Sequence, residues 1–396
     1  MRKTPLAWAN LTHDARRMAT SLAGVTFAVI LMFTEQGFLN ALLDSTVSLI
    51  RMLELSPNDL VLVHHEKETL ADVCRFSRRE LYLARACPGV ELAEPLYLEN
   101  TLSEWENPIT GESLRIRVVA ADPRHKLFEI PGKAELVKHL GRNDTAFFDV
   151  ESKNSFGYDQ LVEASKPGSA TEAILQRRSI QIRGTFRLGT DFVNDGNLMM
   201  GLRCFDRFFP TRRPYDLDFA SVDVGIIKLN GKVPPEEVRK SLRSKLPSRV
   251  RILTRDELID REQGFWKHHT PIGPIFILGT GLGFVVGVVI CYQILSSDIR
   301  DHMAEYATLK AMGYRNVYLI RLVFSQAVWL AFFSLIPGVL FSLCLYNWLS
   351  WWTGLPMLMH FKTVVWVGGL TLLMCLLSAY LAIRQLFRMD PAELFR

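Results

Sequence analysis

PIFILGTGLGFVVGVVICYQIL, Pro274–Leu295, lies inside a run from Pro271 to Ser297 that carries no charged side chain. A helix rising about 1.5 Å per residue crosses a hydrocarbon core of about 30 Å within such a run. Working outward, Leu322 to Phe361 is again uncharged but too long for one crossing. Pro337, Asn347 and the Trp348, Trp351, Trp352 cluster divide it into a span over 322–347 and a short external loop over 348–362 with an aromatic interfacial character. Residues 363–384 make a further span, and 271–296 is the span of the opening quotation. Near the N-terminus, Met18 to Thr34 is apolar, and FLNALLDSTVSLIRMLEL (Phe38–Leu55) continues it with Leu39, Leu42, Leu43, Leu49, Ile50 and Leu53 on one helical stripe. The sequence therefore predicts a first span over 18–43 that runs on as a stalk. No small-x-small cleavage site follows it, so an uncleaved anchor is the reading, not a signal peptide.

Averages conceal this clustering. The 396 residues are 49% hydrophobic and 22% charged, with a net charge of +5 and a mean hydropathy of +0.13. Those values exclude a disordered chain, a collagen, a coiled-coil rod and a small disulfide scaffold. Orientation follows from basic residues in the short segments. The arm 1–17 carries Arg2, Lys3, Arg16 and Arg17; segment 297–321 carries Arg300, Lys310, Arg315 and Arg321; the tail, with Arg384 at its border and 385–396 beyond, carries Arg384, Arg388 and Arg396. The loop before the last span holds only Lys362. The fold class expected is an integral membrane α-helical protein with four transmembrane helices and both termini cytoplasmic. A large α+β extracytoplasmic domain over 44–270 separates the first and second spans. The positive excess then anchors cytoplasmic segments to a lipid bilayer, and no nucleic-acid partner is expected.

Within the external domain, DLVLVHH, LRIRVVAAD, TAFFDVE, IQIRGTFRLG, VDVGIIKL and RVRILT alternate as strands do. RRELYLARA, PPEEVRKSLRSKL and Glu257 to His268 read as helices, the second with proline at its start and acids in its first turn. Cys74, Cys87 and Cys204 are the external cysteines, an odd number, and no disulfide is expected.

Candidate chemistry is sparse. HHEKE, His64 to Glu68, lacks the HExxH spacing and follows a strand, so it reads as a solvated strand end. EQGFWKHHT, with Glu262, His268 and His269, reads as an interfacial anchor built on Phe265, Trp266 and Lys267. Neither a GxxxxGK[ST] loop nor a GxSxG elbow is present. The expectation is a chain without catalytic, metal or cofactor-binding residues. Glu35, at the outer end of the first span, reads as hydrated at the interface.

The spans carry packing signals instead. Gly279, Gly283 and Gly287 recur every fourth residue, and Thr20, Gly24 and Ala28 give the first span a similar small face. Such faces admit a neighbouring helix closely, within one chain or across a dimer. In the cytoplasmic segment, Asp301 to Met312 is a helix with early acids and late Lys310, stopped by Gly313. Met303, Tyr306, Ala307, Lys310 and Ala311 follow an i, i+3, i+4 pattern. Exposure of Tyr306, Leu309 and Met312 would suit a groove on a soluble partner.

DHMAEYATLKAMGY (Asp301–Tyr314) and the terminal DPAELFR (Asp390–Arg396) resemble the MacB/FtsX-like permease superfamily of ABC transporters. PLAWANLTHDARR, LAGVTFAVILMF, FDVES, GTFRLGTDFVNDG, VGIIKL and FWKHHTPIGPIFILGTGLGFVVGVVICYQIL are similar to its DevC branch, permeases of the DevBCA exporter type. The resemblance covers nearly the whole chain. It departs at TEQGF, where the branch has an uncharged residue in place of Glu35. It implies a bacterial inner-membrane, multi-pass permease with a periplasmic domain, paired as a homodimer and served by a separate ABC ATPase that binds the ATP and Mg. Asp301, His302, Glu305, Tyr306, Leu309, Lys310, Met312 and Gly313 would form the coupling helix on that ATPase. A periplasmic adaptor and a TolC-like outer-membrane channel would complete an exporter, with a lipid or glycolipid as cargo. The alternative is an FtsX-like transmitter regulating a periplasmic cell-wall hydrolase, for which the external domain is large. A membrane enzyme with an external active site is disfavoured by the lack of a convergent constellation.

Overall fold

The computed structural model describes residues 15–125, 127–128, 140–142, 144–159, 171–191, 193–212, 221–353, 355 and 357–386. Most of the expected N-terminal arm and all of DPAELFR lie outside the described residues. The chain forms two compact units, Met1–Ala41 with Pro271–Arg396, and Leu42–Thr270. The helices are α1 (Ala15–Thr46), α2 (Ser48–Met52), α3 (Arg78–Arg85), α4 (Leu202–Phe208), α5 (Pro235–Lys245), α6 (Arg255–His268), α7 (Ile272–Asp301), α8 (Met303–Ala311), α9 (Asn316–Thr353) and α10 (Phe361–Leu386).

Among the described residues, four helices are long and apolar enough to cross a membrane: α1, α7, α9 and α10. The large α/β domain lies between the first and second of them in the chain, which is the expected layout. Several helix boundaries differ from expectation: α9 begins at Asn316, six residues before the expected 322, and α1 extends over Ala15–Thr46 beyond the expected 18–43. Helix α9 does not give way to a loop at residue 348 but continues to Thr353, and the rings of Trp348 and Trp352 stack one turn apart with centroids at 6.4 Å. After Pro337 and Gly338 the sequence offers no further breaker until Gly354, so nothing stops the helix sooner. Helix α7 likewise runs to Asp301, past the expected end at 296.

The small residues of α1 and α7 meet each other. A Cβ on Gly24 would lie 2.8 Å from Ile290; one on Gly283 would lie 3.2 Å from Met32; one on Gly287 would lie 3.0 Å from Ala28 and closer still to Met374 of α10. A Cβ on Gly279 would strike the Glu35 carboxylate at 2.6 Å. Beside it, Gln36 Nε2 donates to Thr280 Oγ1 at 3.1 Å. Residues 24 to 35 thus run antiparallel to residues 290 to 279 at glycine-limited separation. Close approach maximises dispersion contact where no hydrophobic driving force exists between helices.

The second unit is built on β1 (Leu60–His64), β2 (Phe76–Ser77), β3 (Val90–Glu99), β4 (Glu104–Glu106), β5 (Ser113–Arg115), β6 (Arg117–Ala121), β7 (Thr145–Asp149), β8 (Thr171–Leu175), β9 (Arg178–Phe186), β10 (Asn197–Gly201), β11 (Ser221–Val222), β12 (Val224–Leu229) and β13 (Val250–Thr254). Eleven of the described strands form one sheet in the order β13-β1-β12-β3-β6-β10-β7-β9-β8-β4-β5. Within it β1, α3, β3, β12, α5 and β13 make a β-α-β-β-α-β unit, its strands antiparallel in the order β13-β1-β12-β3. The chain between β3 and β12 supplies the rest of the sheet.

Both sheet faces are covered, and the period-two alternation divides each strand between two cores. Leu60, Leu62, Val118, Ala120, Phe148 and Leu198 enter one. Val61, Val63, Val119, Ala121, Phe147 and Met199 enter the other.

Polar nodes fix the loops. Arg212, buried beneath Phe205, donates to Leu98 O at 3.0 Å and Glu99 Oε2 at 2.6 Å, and pairs with Asp223. Arg75 Nε reaches Asp223 Oδ1 at 3.0 Å. Burial opposes ionisation of Glu99, but the Arg212 guanidinium and the amides of Leu102 and Thr101 together hold its carboxyl below the usual range. Asp149, fully buried, accepts from the amides of Leu188 and Gly189 and from Asn197 Nδ2 at 2.7–2.9 Å, tying FDVES to GTFRLG.

Replacing Arg212 by methionine strands two buried carboxylates beside Arg75 alone. We expect a loss of about 3–5 kcal/mol, read as a lowered thermal midpoint of the purified chain.

Candidate functional site

Two places gather the residues with functional potential, one in each unit. In the helical unit, α8 follows α7 after a single intervening residue, His302, whose Nδ1 lies 3.0 Å from the Asp298 carbonyl oxygen. The expected start at Asp301 is thus displaced to Met303, because α7 absorbs Asp301. Gly313 closes the element with φ +89°, a left-handed conformation that an L side chain resists, and Tyr314 N donates back to Leu309 O at 3.1 Å.

Tyr306 corrects the expectation of an exposed docking residue. It is 4% exposed and packs into the helical core with Leu319, Leu322 and Val323. Its hydroxyl is buried beside the carboxamide of Gln326, and burial raises its pKa. Gln326, itself 1% exposed in α9, donates through Nε2 to Asp298 Oδ2 at 3.0 Å. The Asp298–Gln326 hydrogen bond joins α7 to α9, and the Tyr306 ring of α8 packs into the same core beside it. Leu309 is half-buried; Asp301, Glu305, Met312 and Gly313 are exposed and His302 is intermediate. The side chain of Lys310 lies outside the described residues. Among the described side chains, Ala304, Glu305 and Thr308 of this short helix are exposed, followed just past its end by Met312, Tyr314, Arg315 and Val317.

In the α/β unit, α6 begins with a capping box. Thr254 Oγ1 accepts from Glu257 N, and the Glu257 carboxylate accepts from Thr254 N. Helix α6 is clasped by the 64–74 loop. Arg261 Nη2 pairs with Glu68 at 2.6 Å, Arg261 Nε donates to Lys67 O at 3.3 Å, and Leu70 N donates to Glu262 Oε2 at 2.8 Å. Trp266 Nε1 donates to Glu262 Oε1 at 3.0 Å. The expected anchor of Phe265, Trp266 and Lys267 is thereby altered, since the indole is directed to a buried carboxyl. A cavity of about 20 Å³, room for one water, is lined by Leu70, Asn100, Arg117, Asp191, Glu262 and Trp266. Lys67, also buried, donates to Asp72 O, and burial lowers its pKa.

HHEKE does end strand β1 with His65, Glu66 and Glu68 exposed, while Lys67 is buried. His64, Glu66 and Cys74 offer ligand atoms within 4.8 Å of one another, and Cys74 enters from the far side of the loop, ten residues on from His64. Spacing within HHEKE could not reveal this, because the third member lies beyond a turn organised by Asp72. A second group, Glu94, Asp122 and His125, is also close, but Asp122 is already held by Arg124 through Nε at 3.0 Å and Nη2 at 2.6 Å.

Residues 277–391 match the family described as FtsX-like permease C-terminal, a range that takes in most of α7 and all of α8, α9 and α10. No curated protein matches the chain. Among solved structures, the extracellular domain of the noncanonic ABC-type transporter YknZ from Gram-positive bacteria aligns with a TM-score of 0.31 and 8% identity, covering 50% of this chain and 98% of that one. A domain described as that of a permease protein from Porphyromonas gingivalis aligns with a TM-score of 0.32 and 14% identity, covering 50% of this chain and 88% of that one.

Burial is the main cause that pushes the Glu262 carboxyl up to about 7 from 4.5, against the opposing pull of its two donors and Lys67. A carboxyl raised on folding holds its proton more tightly in the folded chain, so stability falls as pH climbs from 4.5 to about 7 and levels off above. The span corresponds to at most about 3 kcal/mol. Thermal unfolding of wild type and Glu262→Gln across pH 5–8 should show the variant gaining relative to wild type as pH rises, by up to that amount. Parallel curves would refute the assignment.

Proposed function

We propose that the chain is the membrane subunit of an ABC-type exporter of the MacB/DevC kind. It would convert ATP hydrolysis on a separate ATPase into movement of its external domain. The observation that carries this reading is the FtsX-like permease match over residues 277–391, which contains α8 with an exposed face and a buried root. The outward residues Glu305, Thr308 and Met312 are the surface offered to the ATPase. Tyr306 supplies the root, through which a push on α8 reaches Asp298 on α7 and Gln326 on α9. Packed cores transmit such displacements because they deform little.

In this reading, two copies of the permease pair with two ATPase subunits in the bacterial inner membrane. The Leu42–Thr270 unit engages a periplasmic adaptor that leads to an outer-membrane channel. The cargo class, a lipid or glycolipid, follows the resemblance to the DevC branch. The residues within the chain offer packing and transmission, and the energy source belongs to the partner.

Charge reversal on the outward face separates docking from folding. Co-expressed with its ATPase, the Glu305→Arg, Met312→Glu double variant should lose at least about tenfold in co-purified ATPase, near 1.4 kcal/mol, while its thermal midpoint stays at the wild-type value. Unchanged association would remove α8 as the docking element. Tyr306→Phe should retain association, since the ring stays packed, but lower the ATPase activity stimulated by the permease.

A further inference from the structure

We propose that His64, Glu66 and Cys74 form a binding site for a borderline divalent metal ion of the zinc type, placed on the loop that clasps α6. One ring nitrogen, one carboxylate oxygen and one sulfur, all within 4.8 Å of one another, come from the end of β1 and from the far limb of the following loop. Zinc binds such atoms at about 2.0–2.3 Å, which sets ligand–ligand separations of about 3.3–3.8 Å in a tetrahedron. His64 Nδ1 already lies 4.0 Å from Glu66 Oε2, so a shared ion would require a closure of only a few tenths of an ångström there. The Nδ1 lone pair accepts a long bond of 3.3 Å from the Glu66 amide, a weak competitor for a metal.

A second imidazole lies beside Glu66 and His64. His65 Nε2 is 3.9 Å from Glu66 Oε1, and its ring lies 4.8 Å from that of His64. A thiolate, imidazole and carboxylate set selects zinc and neighbouring late transition ions over calcium or magnesium, which prefer oxygen alone. The contrasting group at Glu94, Asp122 and His125 has an arginine on its central carboxylate, and none of the three ligands proposed here is so engaged.

The loop between the ligands is closed before any ion arrives. Lys67 N donates to His64 O at 3.0 Å, and Asp72 Oδ2 accepts from the amides of Glu68 and Thr69 at 2.8 and 2.9 Å. Preorganisation of this kind removes much of the ordering entropy from metal binding. The same loop holds α6 through Glu68, Lys67 and Leu70. Metal bound across its two limbs would stiffen the clasp on the helix that precedes the second span in the chain. Binding itself does not rest on the permease reading and is tested on the purified chain alone.

Full-length chain in detergent, stripped with a chelator, is titrated with Zn²⁺ by calorimetry and with Co²⁺ by absorption. The expected result is one site per chain, release of about one proton per zinc as the Cys74 thiol ionises, and a near-ultraviolet thiolate-to-cobalt band. Cys74→Ser should abolish that band and, like His64→Ala, weaken Zn²⁺ binding by at least about 10–100-fold. Cys87→Ser, at a buried cysteine outside the cluster, should leave the affinity unchanged and serves as the control. Absence of one-to-one binding, a cobalt spectrum without the thiolate band in wild type, or an affinity indifferent to Cys74→Ser would each overturn the proposal. The wild-type cobalt spectrum decides the matter even if a variant fails to fold.

Discussion

The packing of the helical unit depends on the glycine-limited contact between α1 and α7. Four positions in succession, Gly279, Gly283, Gly287 and Ile290, meet Glu35, Met32, Ala28 and Gly24. A side chain at these glycines would meet side chains of the neighbouring helices, Ile290, Glu35, Met32, Ala28 and Met374, at 3.2 Å or less, so those side chains or the helices would have to shift. The same Gly287 admits Met374 of α10, whose neighbour Ser378 donates to Val288 O at 2.8 Å. The three helices therefore share one small-residue seam, and larger apolar residues on α7, such as Leu278, Leu282 and Val285, are left outward. A face that is apolar and exposed on a membrane helix is the ordinary condition of a lipid-facing surface.

Much of this was legible from residue order. Absence of charge over Pro271–Ser297 and Thr363–Ile383 marks two helices because hydrocarbon tolerates few alternatives, and the four-residue glycine spacing marks which face of α7 would be close-packed. The aromatic cluster at Trp348–Trp352 misled, since tryptophan signals an interface without saying whether the backbone there is helical. Tyr306 misled for a related reason. On a helix of nine residues its i, i+3 pattern fits either face, and the ring turns inward onto apolar residues of α9 such as Leu319, Leu322 and Val323, which lie more than ten residues on.

In the α/β unit the strands with alternating β-branched residues were readable, whereas β3 was not. Its segment VELAEPLYLE carries Glu91, Glu94, Pro95 and Glu99, which argue against a central strand. Tertiary partners override that local preference: Arg212 takes Glu99, and His125 lies 3.4 Å from Glu94. The convergence of Cys74 on His64 was likewise hidden, because it depends on the path of a loop and not on any spacing of ligands.

The split of the β-α-β-β-α-β unit bears on how the domain comes to exist. Strand β1 finds its partners at Ile227 and Leu253, more than a hundred and sixty residues later in synthesis. Until those are made, the strand that runs from Leu60 to His64, apolar over its first four residues, is unpaired with open hydrogen-bonding edges on both sides. The inserted segment, whose strands β6, β7, β9 and β10 are nearer neighbours in sequence, can pair first. During synthesis the strands of the inserted segment are then all available for pairing before β12 and β13, the partners of β1, have been made. Exposure of β1 during that delay makes it the segment most in need of protection from self-association while the chain is incomplete.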